Sequence, residues 1–366
     1  MSQQRMVLLN PGPVTLTKRV RAALTEGDWC HREPEFAALT QDTNRRLVSV
    51  YPNLVENYAA VTMTGSGTSA VEGMLASFAP DTGGTLVLAN GVYGERMAKM
   101  LTAHRKPHEL QCGPWTEPVD LDAAAAMLDA HPGITHIATV HHETTTGRLN
   151  DLDAIGALCR KRDIALLLDG VSSYGAEAID AEAWNLEAVA ATANKCLHGV
   201  PGLSFVVGHE RLWTRTSAQV GSVYLDLNAY YAGQHGEGFS PFTQSVQVAF
   251  ALRVALDELE EAGGWRARRQ SYLDRATRIH AALDAAGVGL LLGEEESSCV
   301  LRSYLLPDGV GYQELHDRLK QAGFVIYAGQ GQLAPDIFRL AYMGDITAAD
   351  LDSLCAALGE VLGQGG

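Results

Sequence analysis

The sequence predicts an α/β protein: a large domain with a mostly parallel sheet, followed by a smaller C-terminal α+β domain. Short apolar runs alternate with helix-periodic segments through the first two thirds of the chain, the pattern of buried strands joined by crossover helices. Several of these runs end in polar or charged residues, where parallel sheets place their ligand groups. The sequence then changes character near residue 262, and a length of 366 residues suits two domains rather than one.

In chain order, strands are expected at 58–64, 85–90, 134–141, 164–169, 188–193 and 203–208, with helices at 69–78, 94–103 and 154–162 between them. A long helix is expected over 245–262, because Val248, Ala249, Leu252, Ala255, Leu256 and Leu259 recur at steps of three and four. Beyond it come strands at 299–305 and 324–327 around a helix at 312–322, and a further strand at 337–343. A last helix should start near Thr347, where Thr347 and Asp350 resemble a capping box with Asp in place of Glu. The expected division is an N-terminal arm at 1–20 packing with the small domain, a large domain at 21–261 and a small domain at 262–366.

Composition narrows the function. Hydrophobic residues make up 46% and charged residues 19%, an ordinary globular balance with ample material for a core. The net charge of -15 argues against nucleic acid or an anionic membrane as main partner, since both need a basic face. A local basic pocket for an anionic substrate stays open. The six cysteines include no CxxC pair, so no metal site is expected, and their scatter reads as reduced thiols of a cytoplasmic protein. The opening MSQQRMVLLNPGPV lacks the apolar run of a signal peptide, and no stretch is apolar and long enough to span a membrane.

Six places could carry chemistry. Lys195 follows a small-residue strand and precedes Gly199 and Gly202; it is either a surface lysine or a desolvated, nucleophilic amine. Asp169 closes the apolar run from Ile164; it either caps a turn or pairs with a pyridinium nitrogen and makes that ring an electron sink. Gly65-Ser66-Gly67-Thr68-Ser69-Ala70 lies between a strand and a helix and offers free N–H groups and hydroxyls to a phosphate. It also fits G-x-G-x-x-A, the motif of an NAD-dependent dehydrogenase, but Asn90 stands where that fingerprint wants an acid. Tyr93, between Gly91 and Gly94, either stacks on a flat ring or fills a glycine turn. His142-Glu143-Thr144-Thr145-Thr146-Gly147 sets hydroxyls beside a carboxylate, for a cofactor or for the turn itself. Arg339, inside an apolar strand, needs an anionic partner: a substrate carboxylate or phosphonate, or a structural acid. Taken together these are the parts of a pyridoxal-phosphate site.

These residues carry a resemblance. The chain resembles the fold-type I pyridoxal-phosphate aminotransferases of class V and, within them, members that act on aminophosphonates. The likeness rests on Asn10-Pro11-Gly12-Pro13-Val14, Asp28-Trp29-Cys30, Gly65-Ser66-Gly67-Thr68, Asn90-Gly91-Val92-Tyr93-Gly94, the 142–147 stretch, Ser172-Ser173-Tyr174-Gly175 and Asn194-Lys195-Cys196. It implies that Lys195 carries pyridoxal 5'-phosphate as a Schiff base and that Asp169 pairs with the ring nitrogen. It implies further that Tyr93 stacks on the ring, that Ser66, Gly67 and Thr68 bind the phosphate, and that Thr144 contacts the ring oxygen. Thr243 would be lent to the phosphate by a partner subunit in a homodimer, and Arg339 and Arg32 would serve the substrate. The implied reaction moves the amino group of 2-aminoethylphosphonate to pyruvate. The chain departs from this pattern at His31-Arg32-Glu33-Pro34-Glu35-Phe36 and at Ser245-Val246-Gln247, both placed near the expected substrate mouth. A related class V aminotransferase with another amine donor is therefore the first rival, and a cofactor-binding protein without catalysis the least favoured.

Overall fold

A strand covered on both faces needs apolar residues at successive positions, and the central sheet is made of such strands. In this computed structural model, which describes residues 5–213 and 220–363, seven strands form one sheet. Their order is Tyr58–Gly65, Gly202–His209, Leu186–Thr192, Ala165–Asp169, His136–Val140, Thr85–Ala89 and His108–Cys112. Gly202–His209 runs antiparallel to both its neighbours, and the remaining pairings are parallel. Alternation sorts the side chains: Leu86, Leu88, Leu166 and Leu168 join the core on one face, while Val87 and Leu167 join the core on the other. Helix Val246–Glu261 adds Ala249, Leu252, Ala255, Leu256 and Leu259 to the first of these cores.

The six strands expected here are present, with ends shifted by a residue or two. The sequence reading missed His108–Cys112. That strand lies at the sheet edge, contains His and Glu, and leaves Leu110 exposed, so it carries no apolar run.

A second core combines Val7, Leu9 and Val14 with Tyr272, Ile279, Leu315, Phe324, Phe338 and Leu354. Leu301–Leu305 and Tyr327–Ala328 flank Ile337–Ala341 in an antiparallel sheet. The single strand expected at 324–327 is divided at Ile326. Phe324–Val325 pairs with Val7–Leu8 in parallel, while Tyr327–Ala328 turns to Ile337–Ala341. The last helix, Ala348–Gly363, starts as expected: Asp350 N donates to Thr347 Oγ1 at 3.1 Å, and Thr347 N donates to Asp350 Oδ2 at 2.9 Å. All six cysteines are free; Cys159, Cys196 and Cys299 are buried, while Cys30 and Cys112 are exposed. Among the described residues no helix is long and apolar enough to cross a membrane.

Candidate active site

Adjacent parallel strands end side by side, and this brings the sequence candidates together. Asp169 is the last residue of Ala165–Asp169. Its carboxylate is buried and accepts from Val171 N at 2.9 Å. Burial raises its pKa to about 6, opposed by the Val171 N–H and by the charges of Lys195 and Arg96. Lys195 lies in the turn after Leu186–Thr192, half-buried, with Nζ donating to Pro11 O. A Cβ built on Gly12, which has φ +122°, would stand 2.8 Å from Lys195 Cδ, so the N-terminal arm roofs the lysine. Burial lowers the Lys195 pKa to about 8; Cys196 and Asp169 oppose that fall, and Arg339 adds to it.

The lysine turn is tied to the C-terminal part of the chain. Arg268 Nη1 donates to Cys196 O at 2.6 Å, and Gly344 N donates to His198 Nε2 at 2.8 Å. Neither tie was visible in the sequence, because each joins residues far apart in the chain.

Ser66 precedes helix Gly67–Phe78 and makes no side-chain cap, so the helix start keeps its first N–H groups for another acceptor. Ser66 and Thr68 are exposed and Gly67 is buried. A Cβ on Gly67 would meet Val171 Cγ1 at 2.7 Å, so this helix start lies directly against the segment after Asp169. A small cavity here is lined by Thr68, Tyr93, Arg96, Asp169 and Val171. Larger clefts lie elsewhere, beside Tyr58 and Tyr231 and beside Trp184 and Trp265, away from these converging groups. The strand Thr85–Ala89 ends at Asn90, whose amide donates to Asn150 Oδ1 at 2.8 Å. The strand therefore closes on an amide and not on the acid that the dinucleotide fingerprint wants.

Tyr93 sits at the start of helix Val92–Ala103, half-buried, with the Arg96 guanidinium 4.7 Å from its ring centroid. Sequence reasoning gave Glu143 no role, yet this buried carboxylate fastens the helix. Its Oε2 accepts from Tyr93 N at 3.2 Å and Gly94 N at 3.3 Å, and its Oε1 accepts from the Thr145 hydroxyl at 2.6 Å. A side chain on Gly91 would collide with it. Burial raises its pKa to about 7 against these hydrogen bonds. Of the threonines, Thr145 thus serves the turn, whereas Thr144 is buried and its carbonyl accepts from Arg339 Nη1 at 2.7 Å.

Arg339 is fully buried in Ile337–Ala341. Nε donates to Ala328 O at 2.8 Å, Nη1 donates also to Gln330 Oε1 at 3.1 Å, and Nη2 has no partner. The Tyr327 ring centroid lies 5.0 Å from the guanidinium carbon. Burial lowers its pKa. The structural acid that the sequence left open is not there: among the described residues its hydrogen bonds go only to carbonyl and amide oxygens. Arg32 and Thr243 stand apart from this cluster within the chain. Both are exposed, and Arg32 Nη2 donates to Pro241 O at 3.0 Å, two residues before Thr243. That segment reaches the end of the Tyr58–Gly65 strand, just before Ser66, through Ser245 N, which donates to Thr64 Oγ1 at 3.0 Å.

The family model described as aminotransferase class V matches residues 57–343, which span the sheet, the lysine turn and Arg339. The chain belongs to the class V aminotransferase family. It is 37% identical over 359 residues to a 2-aminoethylphosphonate–pyruvate transaminase of Aeromonas hydrophila, covering 96% of this chain and 94% of that one. It is 34% identical to a bifunctional phosphonoacetaldehyde hydrolase/aminoethylphosphonate transaminase of Clostridioides difficile, covering 98% of this chain and 56% of that one. Among solved structures it is similar to the alanine–glyoxylate aminotransferase of Nostoc sp., at a TM-score of 0.88 and 27% identity, covering 99% of this chain and 96% of that one.

In this class V aminotransferase the donor set fits pyridoxal phosphate. Asp169 offers a buried carboxylate that takes one hydrogen bond among the described residues, through Oδ1, and so suits a cationic nitrogen, and the uncapped helix start at Ser66 suits a phosphate. Lys195 is an amine whose neutral form burial favours. His142 is also buried here, with Nε2 unpartnered and Nδ1 3.2 Å from Ser172 O. Burial lowers its pKa to about 4, which leaves the ring neutral at physiological pH.

Proposed function

We propose that the chain is a pyridoxal-phosphate aminotransferase that moves the amino group of 2-aminoethylphosphonate to pyruvate, giving phosphonoacetaldehyde and alanine. One observation carries this reading: Lys195 follows the strand that pairs in parallel with the one Asp169 closes, and the buried Arg339 guanidinium, tied to Thr144 O, adds its charge to theirs. An amine, a buried carboxylate and a buried guanidinium with an unpartnered N–H thus lie in one neighbourhood, which supports these roles. The names of the relatives from Aeromonas and Clostridioides supply the substrate.

When bound, the cofactor supplies an electron sink and carries the amino group between the two substrates. Lys195 would hold it covalently. Ser66, Gly67 and Thr68 would take the phosphate at the helix start, with Thr243 of a partner subunit, and Tyr93 would stack on the ring. Thr144 would meet the ring oxygen. Asp169 would hold the ring nitrogen through its buried carboxylate. Lys195 Nζ, an amine whose neutral form burial favours, would serve as the base that takes the proton from the amine-bearing carbon of the substrate. Arg339 would bind the phosphonate of the donor and then the carboxylate of pyruvate, and Arg32 would serve the substrate from outside this cluster. We place this in a cytoplasmic homodimer whose chain divides at about residues 20 and 261.

Phosphorus NMR of 2-aminoethylphosphonate with pyruvate tests the reading. The expected result is a new phosphonoacetaldehyde resonance with matching alanine. An unchanged spectrum from enzyme that turns over another amine would transfer the assignment to a different class V donor.

A further inference from the structure

The acid site must accept two different shapes in turn. A phosphonate is tetrahedral with three oxygens, and a carboxylate is planar with two. Arg339 by itself is poorly equipped to tell them apart. Its Nε is occupied by Ala328 O and its Nη1 by Thr144 O and Gln330 Oε1, so Nη2 alone remains without a partner.

Gln330 completes the site. A guanidinium only donates, so the amide must turn Oε1 toward Arg339 Nη1, as it does at 3.1 Å. The other end, Nε2, then faces away from that contact and makes no hydrogen bond among the described residues. The backbone beneath it has little freedom. A Cβ on Gly329 would stand 2.7 Å from Ile337 Cγ1 of the small sheet, and one on Gly331, which has φ +54°, would stand 2.7 Å from the Trp115 ring. The turn that carries Gln330 is therefore pressed against both the small sheet and the large domain. The half-buried amide is a neutral donor held beside a buried cation.

We propose that Gln330 is a specificity-determining residue. Its Nε2 donates to the third oxygen of a phosphonate held by Arg339, an oxygen that a carboxylate does not have. This inference rests on the aminophosphonate reading above. In it, Arg339 provides the charge common to both substrates, and Gln330 provides the preference for one.

The test uses non-reacting probes, methylphosphonate and acetate, titrated calorimetrically into the holoenzyme and its Gln330→Ala and Gln330→Glu variants. The loop is at the surface, and unchanged thermal unfolding of either variant confirms that its fold is kept. Losing one hydrogen bond to a charged oxygen should weaken methylphosphonate about tenfold or more in Gln330→Ala, with acetate changed by less than about threefold. Gln330→Glu should weaken methylphosphonate further, because a carboxylate there repels the dianion and occupies Arg339. Equal weakening of both probes would show that Gln330 only steadies Arg339 and would overturn the proposal, as would no weakening at all. Phosphorus NMR of the wild type keeps the two claims apart. Turnover of 2-aminoethylphosphonate with no change in probe preference sinks this inference alone, whereas absence of both turnover and methylphosphonate binding sinks the substrate reading with it.

Discussion

Capture of pyridoxal phosphate by the apoenzyme should follow the neutral form of Lys195 and so report the lysine's surroundings. An ordinary lysine, near 10.5, is neutral at pH 7 in only about three molecules in ten thousand. With its pKa lowered to about 8, Lys195 is neutral in about one molecule in ten, a gain of roughly 300-fold. The cause is burial first, with Arg339 adding to it and Cys196 and Asp169 opposing. Stopped-flow absorbance of apoenzyme mixed with excess cofactor would follow the rate from about pH 6 to about pH 9.5. The rate should climb about tenfold per pH unit and level off near pH 8. Two variants give opposite signs. Asp169→Asn removes a charge that favours the protonated amine and should move the break downward, while Arg339→Met removes one that disfavours it and should move the break upward. The same shift affects stability. The unfolded lysine keeps its proton longer than the folded one, so this group makes the fold more stable as pH rises from about 8 toward 10.5. A capture rate still rising tenfold per unit at about pH 9.5 would refute the reasoning, because the lysine would then be behaving as a solvated amine.

Three further substitutions probe the frame around that lysine. Asp169→Asn should lower kcat/KM on the order of a hundredfold or more, since an amide does not stabilise a protonated ring nitrogen; steady-state kinetics against saturating cofactor would show it, and near-wild-type activity would remove Asp169 from the mechanism. Glu143→Ala leaves the Tyr93 and Gly94 N–H groups without their acceptor and should cost about 1–3 kcal/mol, read as a lower melting temperature that Glu143→Gln partly restores. Gly12→Ala places a side chain at φ +122° and within 2.8 Å of Lys195 Cδ, so it should destabilise by about 1 kcal/mol or more and slow cofactor capture as well, and unchanged values for both would mean that the arm does not roof the lysine.

The large sheet was legible because its strands are buried on both faces and so read as unbroken apolar runs, as in Leu166-Leu167-Leu168. The edge strand His108–Cys112 was not, because an edge exposed to water needs no such run. Residues 324–327 read as one strand because periodicity records burial and not partners. Only the structure shows the Val7–Leu8 arm taking one half and Ile337–Ala341 the other. At the site, Asp169 and Lys195 were readable from their position after strands. Glu143 and Gln330 were not, since each acts through contacts with residues distant in sequence. Glu143 meets Tyr93 and Gly94, and Gln330 meets Arg339. For Glu143 one signal was present, a carboxylate just after a strand and beside three hydroxyls, but taken alone it pointed to a simple turn.

The most direct test of the account is borohydride reduction of the purified holoenzyme followed by peptide mapping. The account predicts a visible cofactor absorbance that borohydride bleaches, with one phosphopyridoxyl group fixed on Lys195. A label on any other lysine, or a colourless protein that takes up no pyridoxal phosphate on reconstitution, would contradict it.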